Sequence, residues 1–182
     1  MNKYINRFIK LTCAPDLLAL KLFPNAKEIC ETYACRDATY RFFGTEIRYK
    51  DNLPCFVIGD GHKPRTGAFF AYTTACDVWS IDPALRIEGK YEGIKKLICV
   101  KKKVEKTFYS GDSAIVVFPH AHAPINHVLS NWDFNKLFIV SMPCCLENYQ
   151  ILPNRIGLHY RDMQIPSPKN HIFGWRVERG VK

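Results

Sequence analysis

The chain has 182 residues, 47% of them hydrophobic, which is enough apolar side chain to build one substantial core and too much for a disordered polymer. Its net charge of +9 and pI of about 9.2 favour anionic partners, nucleic acid foremost. No apolar run approaches the roughly 20 residues needed to span a bilayer, and the first twenty residues lack the apolar core and cleavage site of a secretory signal. An intracellular protein, cytoplasmic or nuclear, with no membrane partner is therefore expected. Eight cysteines are present, but Cys55, Cys76 and Cys99 sit in apolar segments and read as reduced, buried side chains. No CxxC pair occurs, so a zinc ribbon or a thioredoxin-like motif has no support.

Residues 16–23 and 25–35 read as two short helices, the second entered just after Pro24. Residues 36–49 mix charge and aromatics without a clear pattern. Residues 1–52 are expected to be a helical addition that covers a sheet edge or a ligand site, ahead of a core over 53–178 in the same single domain.

The most informative stretch follows. An apolar run at 55–58 stops at Gly59-Asp60-Gly61, where the chain can turn tightly. A helical stretch begins near Pro64, whose missing N–H suits a first turn, and Arg65 and Thr66 lie in that same turn. A second apolar run at 77–81 ends in Asp82. Strand, glycine turn, helix, strand and acid, with the acid about 20 residues after the glycines, is the order an adenosine-containing cofactor needs. Glycines let the backbone approach the ligand, and the acid can accept hydrogen bonds from ribose hydroxyls. The third glycine of a dinucleotide fingerprint is absent. An ordinary strand-to-helix turn, with Asp82 capping a loop, accounts for each feature taken separately.

Downstream, residues 86–96 can form a helix and 98–100 a short strand. The densest basic stretch is Lys95, Lys96, Lys101, Lys102, Lys103 and Lys106. Buried strands are expected at 113–118 and 136–141, a short helix or loop at 122–131, and a short helix at 144–150. Residues 170–177 form the last strand, with 156–161 as its hairpin partner. Strands alternating with helices predict an α/β fold with a mostly parallel sheet and helices on both faces. Trp132 and Trp175 are expected to pack in the core. His127, His159 and His171 show no local pattern.

This layout resembles the class I S-adenosylmethionine-dependent methyltransferases, with a Rossmann-like core of seven strands, the last antiparallel. The resemblance rests on VIGDG at 57–61, SIDP at 80–83, IVVFPHAH at 115–122, IVSMPCC at 139–145 and the hairpin-like pair around 156–177. It implies S-adenosylmethionine as cofactor, with Gly59, Asp60, Gly61 and Asp82 as its contacts and the end of the fourth strand at the reaction centre. Two positions depart from the family pattern. Val57 stands where an acid is usual, and Phe118-Pro119-His120 replaces the Asn/Asp-Pro-Pro-aromatic motif of DNA amino-methyltransferases. His120-Ala121-His122 and Pro143-Cys144-Cys145 are similar to segments of a little-characterised methyltransferase group, which places a histidine segment after strand 4 and Pro-Cys-Cys after strand 5.

Ligands in open parallel sheets bind beyond the carboxyl ends of the strands, which brings Asp60, His120, His122, Cys144 and Cys145 toward one rim. His120 or His122 can serve as a general base. Cys144, Cys145 and Arg65 are candidates to contact the methyl acceptor, Arg65 through an anionic group. Two alternatives accompany this reading: zinc held by the histidines and cysteines, against which stand the adjacency of the two cysteines and the absence of the usual spacing, and purely structural roles. Three functions follow: a methyltransferase acting on RNA or protein, a methyltransferase-like nucleic-acid-binding protein without catalysis, and an enzyme that cleaves S-adenosylmethionine.

Overall fold

In the computed structural model, which describes residues 2–48, 50, 52–145 and 157–179, seven strands form one sheet in the order β3-β2-β1-β4-β5-β7-β6. The strands are β1 (Pro54–Ile58), β2 (Asp77–Ile81), β3 (Leu97–Val100), β4 (Ser110–Pro119), β5 (Asp133–Met142), β6 (Leu158–Arg161) and β7 (His171–Glu178). The first five pair in parallel. β7 runs antiparallel between β5 and β6, as expected for the last strand.

The apolar runs are near-continuous because both faces of the sheet are covered. Successive residues alternate between two cores. Cys55, Val57, Ile115, Val117, Phe138 and Val140 face one core; Phe56, Ile58, Val116, Phe118, Leu137 and Ile139 face the other. The first core is closed by α1 (Lys3–Phe8), α2 (Ala14–Ala19), α3 (Ala26–Ile47) and α4 (Arg65–Thr73). The second is closed by α6 (Ile125–Asn131), a single 3-10 turn at Val104–Lys106, and a cluster of rings around Trp132. Trp132 and Trp175 are both buried, and the Trp132 indole N–H donates to Thr107.

Several elements differ from their sequence-based outlines. α3 is one helix of 22 residues, capped by Asn25 on the Glu28 N–H, and it continues through the stretch that showed no pattern. Its buried residues there, among them Ala38, Phe43 and Ile47, are selected by the sheet they pack on. The helix expected at 86–96 is only the single turn α5 (Gly89–Glu92), since glycines at 89 and 93 bracket it. α1 was not expected. Its signal is the pair Tyr4 and Phe8, one turn apart and both buried. The helix expected at 144–150 falls largely outside the described residues.

α3 lies close against the antiparallel strand. A β-carbon added at Gly174 of β7 would stand 2.3 Å from the ring of Phe42. Gly174→Ala is expected to lower stability by about 1–3 kcal/mol through overpacking. Urea denaturation measures this; an unchanged midpoint would mean that the ring moves aside freely.

Candidate active site

β1, β2, β4 and β5 are parallel, so the turns after Ile58, Ile81, Pro119 and Met142 leave the sheet at one rim. Strand order reverses at β1, which has β2 on one side and β4 on the other. Ligand crevices of open α/β sheets form at such points. A cavity of about 320 Å³ lies there, a volume suited to a small molecule. The glycine turn and the start of α4 form one wall, Pro119 and His120 a second, and the first turns of α3 a third.

The turn needs its glycines. Gly59 and Gly61 have φ of +76° and +79°, and a β-carbon on Gly59 would lie 2.5 Å from that of Ala121. Between them, Asp60 borders the cavity but is only 3% exposed. Its carboxylate accepts from the N–H groups of Thr66 and Gly67, at 2.9 and 2.8 Å, and from the hydroxyl of Ser80 at 2.9 Å. Asp60 thus ties the turn to the start of α4 and to β2. Burial raises its pKa, and the donors at Gly67, Thr66 and Ser80 oppose that shift. Asp82 stands outside the cavity, beyond Gly61. It accepts from the Gly61 N–H at 2.9 Å and from the Ala84 N–H at 2.7 Å, each on a different oxygen.

α3 supplies groups that motif reading did not single out. Glu28 pairs with Arg65 at 2.7 Å, and the hydroxyls of Thr32 and Thr66 meet at 3.3 Å, joining α3 to α4 beside the turn. Glu31 is buried, with Lys27 at 3.2 Å and the His120 Nε2 at 2.9 Å from its Oε1. Burial opposes its ionisation, but His120 and Lys27 outweigh that and hold its pKa below the ordinary glutamate value. His120 has φ of +57°, a left-handed conformation rare outside glycine, fixed by its N–H on the Met142 carbonyl at 2.9 Å. Its ring touches Glu31 without the alignment of a hydrogen bond, and neither ring nitrogen has a hydrogen-bond partner among the described residues. Both nitrogens are buried, while the residue itself borders the cavity. Strained residues of this kind concentrate at functional sites.

Of the residues singled out in the sequence, Gly59, Asp60, Gly61, Arg65, His120, His122 and Cys144 border this one cavity. Cys145 lines a smaller neighbour of about 110 Å³, walled also by His122 and Cys144. His122 approaches Cys144 edge-on, its Nε2 3.3 Å from the sulfur, and the two cysteine sulfurs lie 3.6 Å apart. Partial burial and the neighbouring Cys145 push the Cys144 thiol pKa up. Glu31 and Lys27 could be read in the sequence only as an i,i+4 pair on a helix. Nothing local pointed from them to His120.

No helix among the described residues is long and apolar enough to cross a membrane. No protein-family profile matches the sequence. No curated protein matches it either. Solved structures do. The magnesium protoporphyrin IX methyltransferase of Synechocystis PCC 6803, crystallised with bound S-adenosylmethionine, is 13% identical with a TM-score of 0.54; the match covers 99% of this chain and 98% of that one. A point mutant of MtNAS in complex with S-adenosylmethionine is 12% identical with a TM-score of 0.54, over 97% of this chain and 70% of that one. MtNAS with MTA and tNA gives 12% and 0.51, over 98% and 69%. At such low identity the likeness is one of fold. The strand order, the single antiparallel strand and these neighbours together give the chain the Rossmann-like fold of the class I S-adenosylmethionine-dependent methyltransferases.

Proposed function

We propose that this chain is an S-adenosylmethionine-dependent methyltransferase whose cofactor lies across the glycine turn. The observation that supports this most is the cavity at the reversal of strand order, bordered at once by Gly59–Gly61 and by His120. The ribose sits at Asp82, where each carboxylate oxygen accepts one backbone N–H and keeps a lone pair free for a sugar hydroxyl. The methionyl end enters the cavity, where Lys27 and Arg65 suit its carboxylate and Glu28 and Glu31 suit its cationic groups. Solved proteins of the same fold hold S-adenosylmethionine, which supports the choice of cofactor.

Cys144 borders the cavity beside His120, and with Cys145 it lines the path by which an acceptor reaches the methyl group. The acceptor we favour is nucleic acid, and RNA over DNA. The net charge is +9, and Lys101, Lys102 and Lys103 are exposed directly after β3, at the rim where the parallel strands end. Phe118-Pro119-His120 in place of the DNA amino-methyltransferase motif disfavours DNA.

Calorimetry with S-adenosylmethionine tests the cofactor. Asp82→Ala removes charge-assisted hydrogen bonds worth roughly 1.5–3 kcal/mol each, so affinity is expected to fall at least about tenfold. Unchanged affinity in the folded variant would remove Asp82 from the site. Val57, where the family has an acid, favours a second reading, a binding protein that has lost catalysis. That reading requires nucleic-acid binding without cofactor affinity. Analysis of products after incubation with cofactor alone separates cleavage from transfer.

A further inference from the structure

We propose that His122, Cys144 and Cys145 form a binding site for a soft divalent cation, zinc foremost, at the boundary between the two cavities. The donor set is one imidazole and two thiols, the chemistry that selects zinc over magnesium or calcium. Adjacent cysteines within a strand point to opposite faces of the sheet and cannot share an ion. Cys144 and Cys145 escape this because β5 has ended at Met142, and the chain after Pro143 turns both sulfurs to one side, 3.6 Å apart. All three ligand atoms lie within 4.8 Å of one another.

The distances agree with a coordination shell. Zinc–sulfur bonds of about 2.3 Å and zinc–nitrogen bonds of about 2.0–2.1 Å, at tetrahedral angles, set the sulfurs about 3.8 Å apart and each sulfur about 3.6 Å from the nitrogen. The observed separations are 3.6 Å between the sulfurs and 3.3 Å from Cys144 to His122. The third separation, from the Cys145 sulfur to His122, lies within 4.8 Å, so closing the shell asks for a movement of up to about 1 Å, on exposed or half-exposed side chains. Three protein ligands leave a fourth position open, the arrangement of zinc sites that accept water or a substrate atom. His122 and Cys144 border both cavities, so that position is open to a molecule in either. The proposal does not depend on methyl transfer, and cofactor binding and metal binding can fail separately.

The test uses the full chain, reduced and stripped of metal, dialysed against zinc or cadmium. One equivalent of metal is expected, with cadmium giving a thiolate charge-transfer band. Zinc is expected to protect Cys144 and Cys145 from alkylation and to leave Cys13 and Cys99 as reactive as before. His122→Ala and Cys145→Ser should each weaken binding beyond the roughly 10–100-fold that follows loss of an outer-shell partner. Cys99→Ser, remote from the cluster, should change nothing. The proposal is overturned by an absence of binding, by binding indifferent to both variants, or by protection of other cysteines in place of these two. Should a variant fail to fold, the alkylation map of the natural chain decides the matter alone.

Discussion

Asp60→Ala is expected to unfold the protein more readily, not merely to weaken a ligand contact. The carboxylate is buried and accepts from two backbone N–H groups and one hydroxyl, at 2.8–2.9 Å. Its loss leaves three buried donors without their acceptor, and each orphaned donor costs about 1–3 kcal/mol. The sum reaches at least about 3 kcal/mol, a large part of the roughly 5–15 kcal/mol that holds a domain together. The urea midpoint should fall sharply, or the variant should be recovered insoluble. Asp60→Asn returns an acceptor to Thr66 but sets an amide N–H₂ against the Gly67 N–H, so its midpoint should lie between the two. The opposite result, a normal midpoint with cofactor affinity lost, would make Asp60 a direct ligand contact.

His120→Ala is expected to abolish most methyl transfer while leaving cofactor affinity nearly intact. On the proposed reading, S-adenosylmethionine would supply the methyl group and leave as S-adenosylhomocysteine, and where the acceptor atom carries a proton His120 would receive it. The His120 residue borders the cavity, its buried ring nitrogens have no hydrogen-bond partner among the described residues, and the ionised Glu31 at 2.9 Å would stabilise positive charge gained by the ring. General-base assistance is worth roughly 10²–10⁴-fold, so kcat should fall by that factor in assays with labelled cofactor and purified RNA. Glu31→Gln keeps the shape of the site but removes the charge, and should lower kcat less while leaving the KM of the acceptor unchanged. The double variant should be no slower than His120→Ala, because the two residues act as one unit. Full turnover by His120→Ala would remove it from the chemistry. A parallel loss of cofactor affinity would make it a cofactor contact instead.

The sequence by itself determined the order of the strands and the position of the tight turn. Strands covered on both faces must be apolar throughout, which is why 55–58, 113–118 and 136–141 were legible. A chain that turns at φ above +70° must use glycine, which made Gly59 and Gly61 legible too. Both are local demands on backbone or solvation, so they leave local traces. Only the tertiary structure decided which way the polar side chains point and what they meet. Asp60 turns into the start of α4 rather than outward, because two backbone donors await it there and the Ser80 hydroxyl of β2 supplies a third. Glu31 reaches His120 only because the first turns of α3 wall the same cavity as the turn after β4. Cys144 and Cys145 face one another only because β5 stops two residues before Cys144. These meetings join segments far apart in the chain, and they are selected by helix–sheet packing, which leaves no periodic or compositional trace around any one of the residues involved.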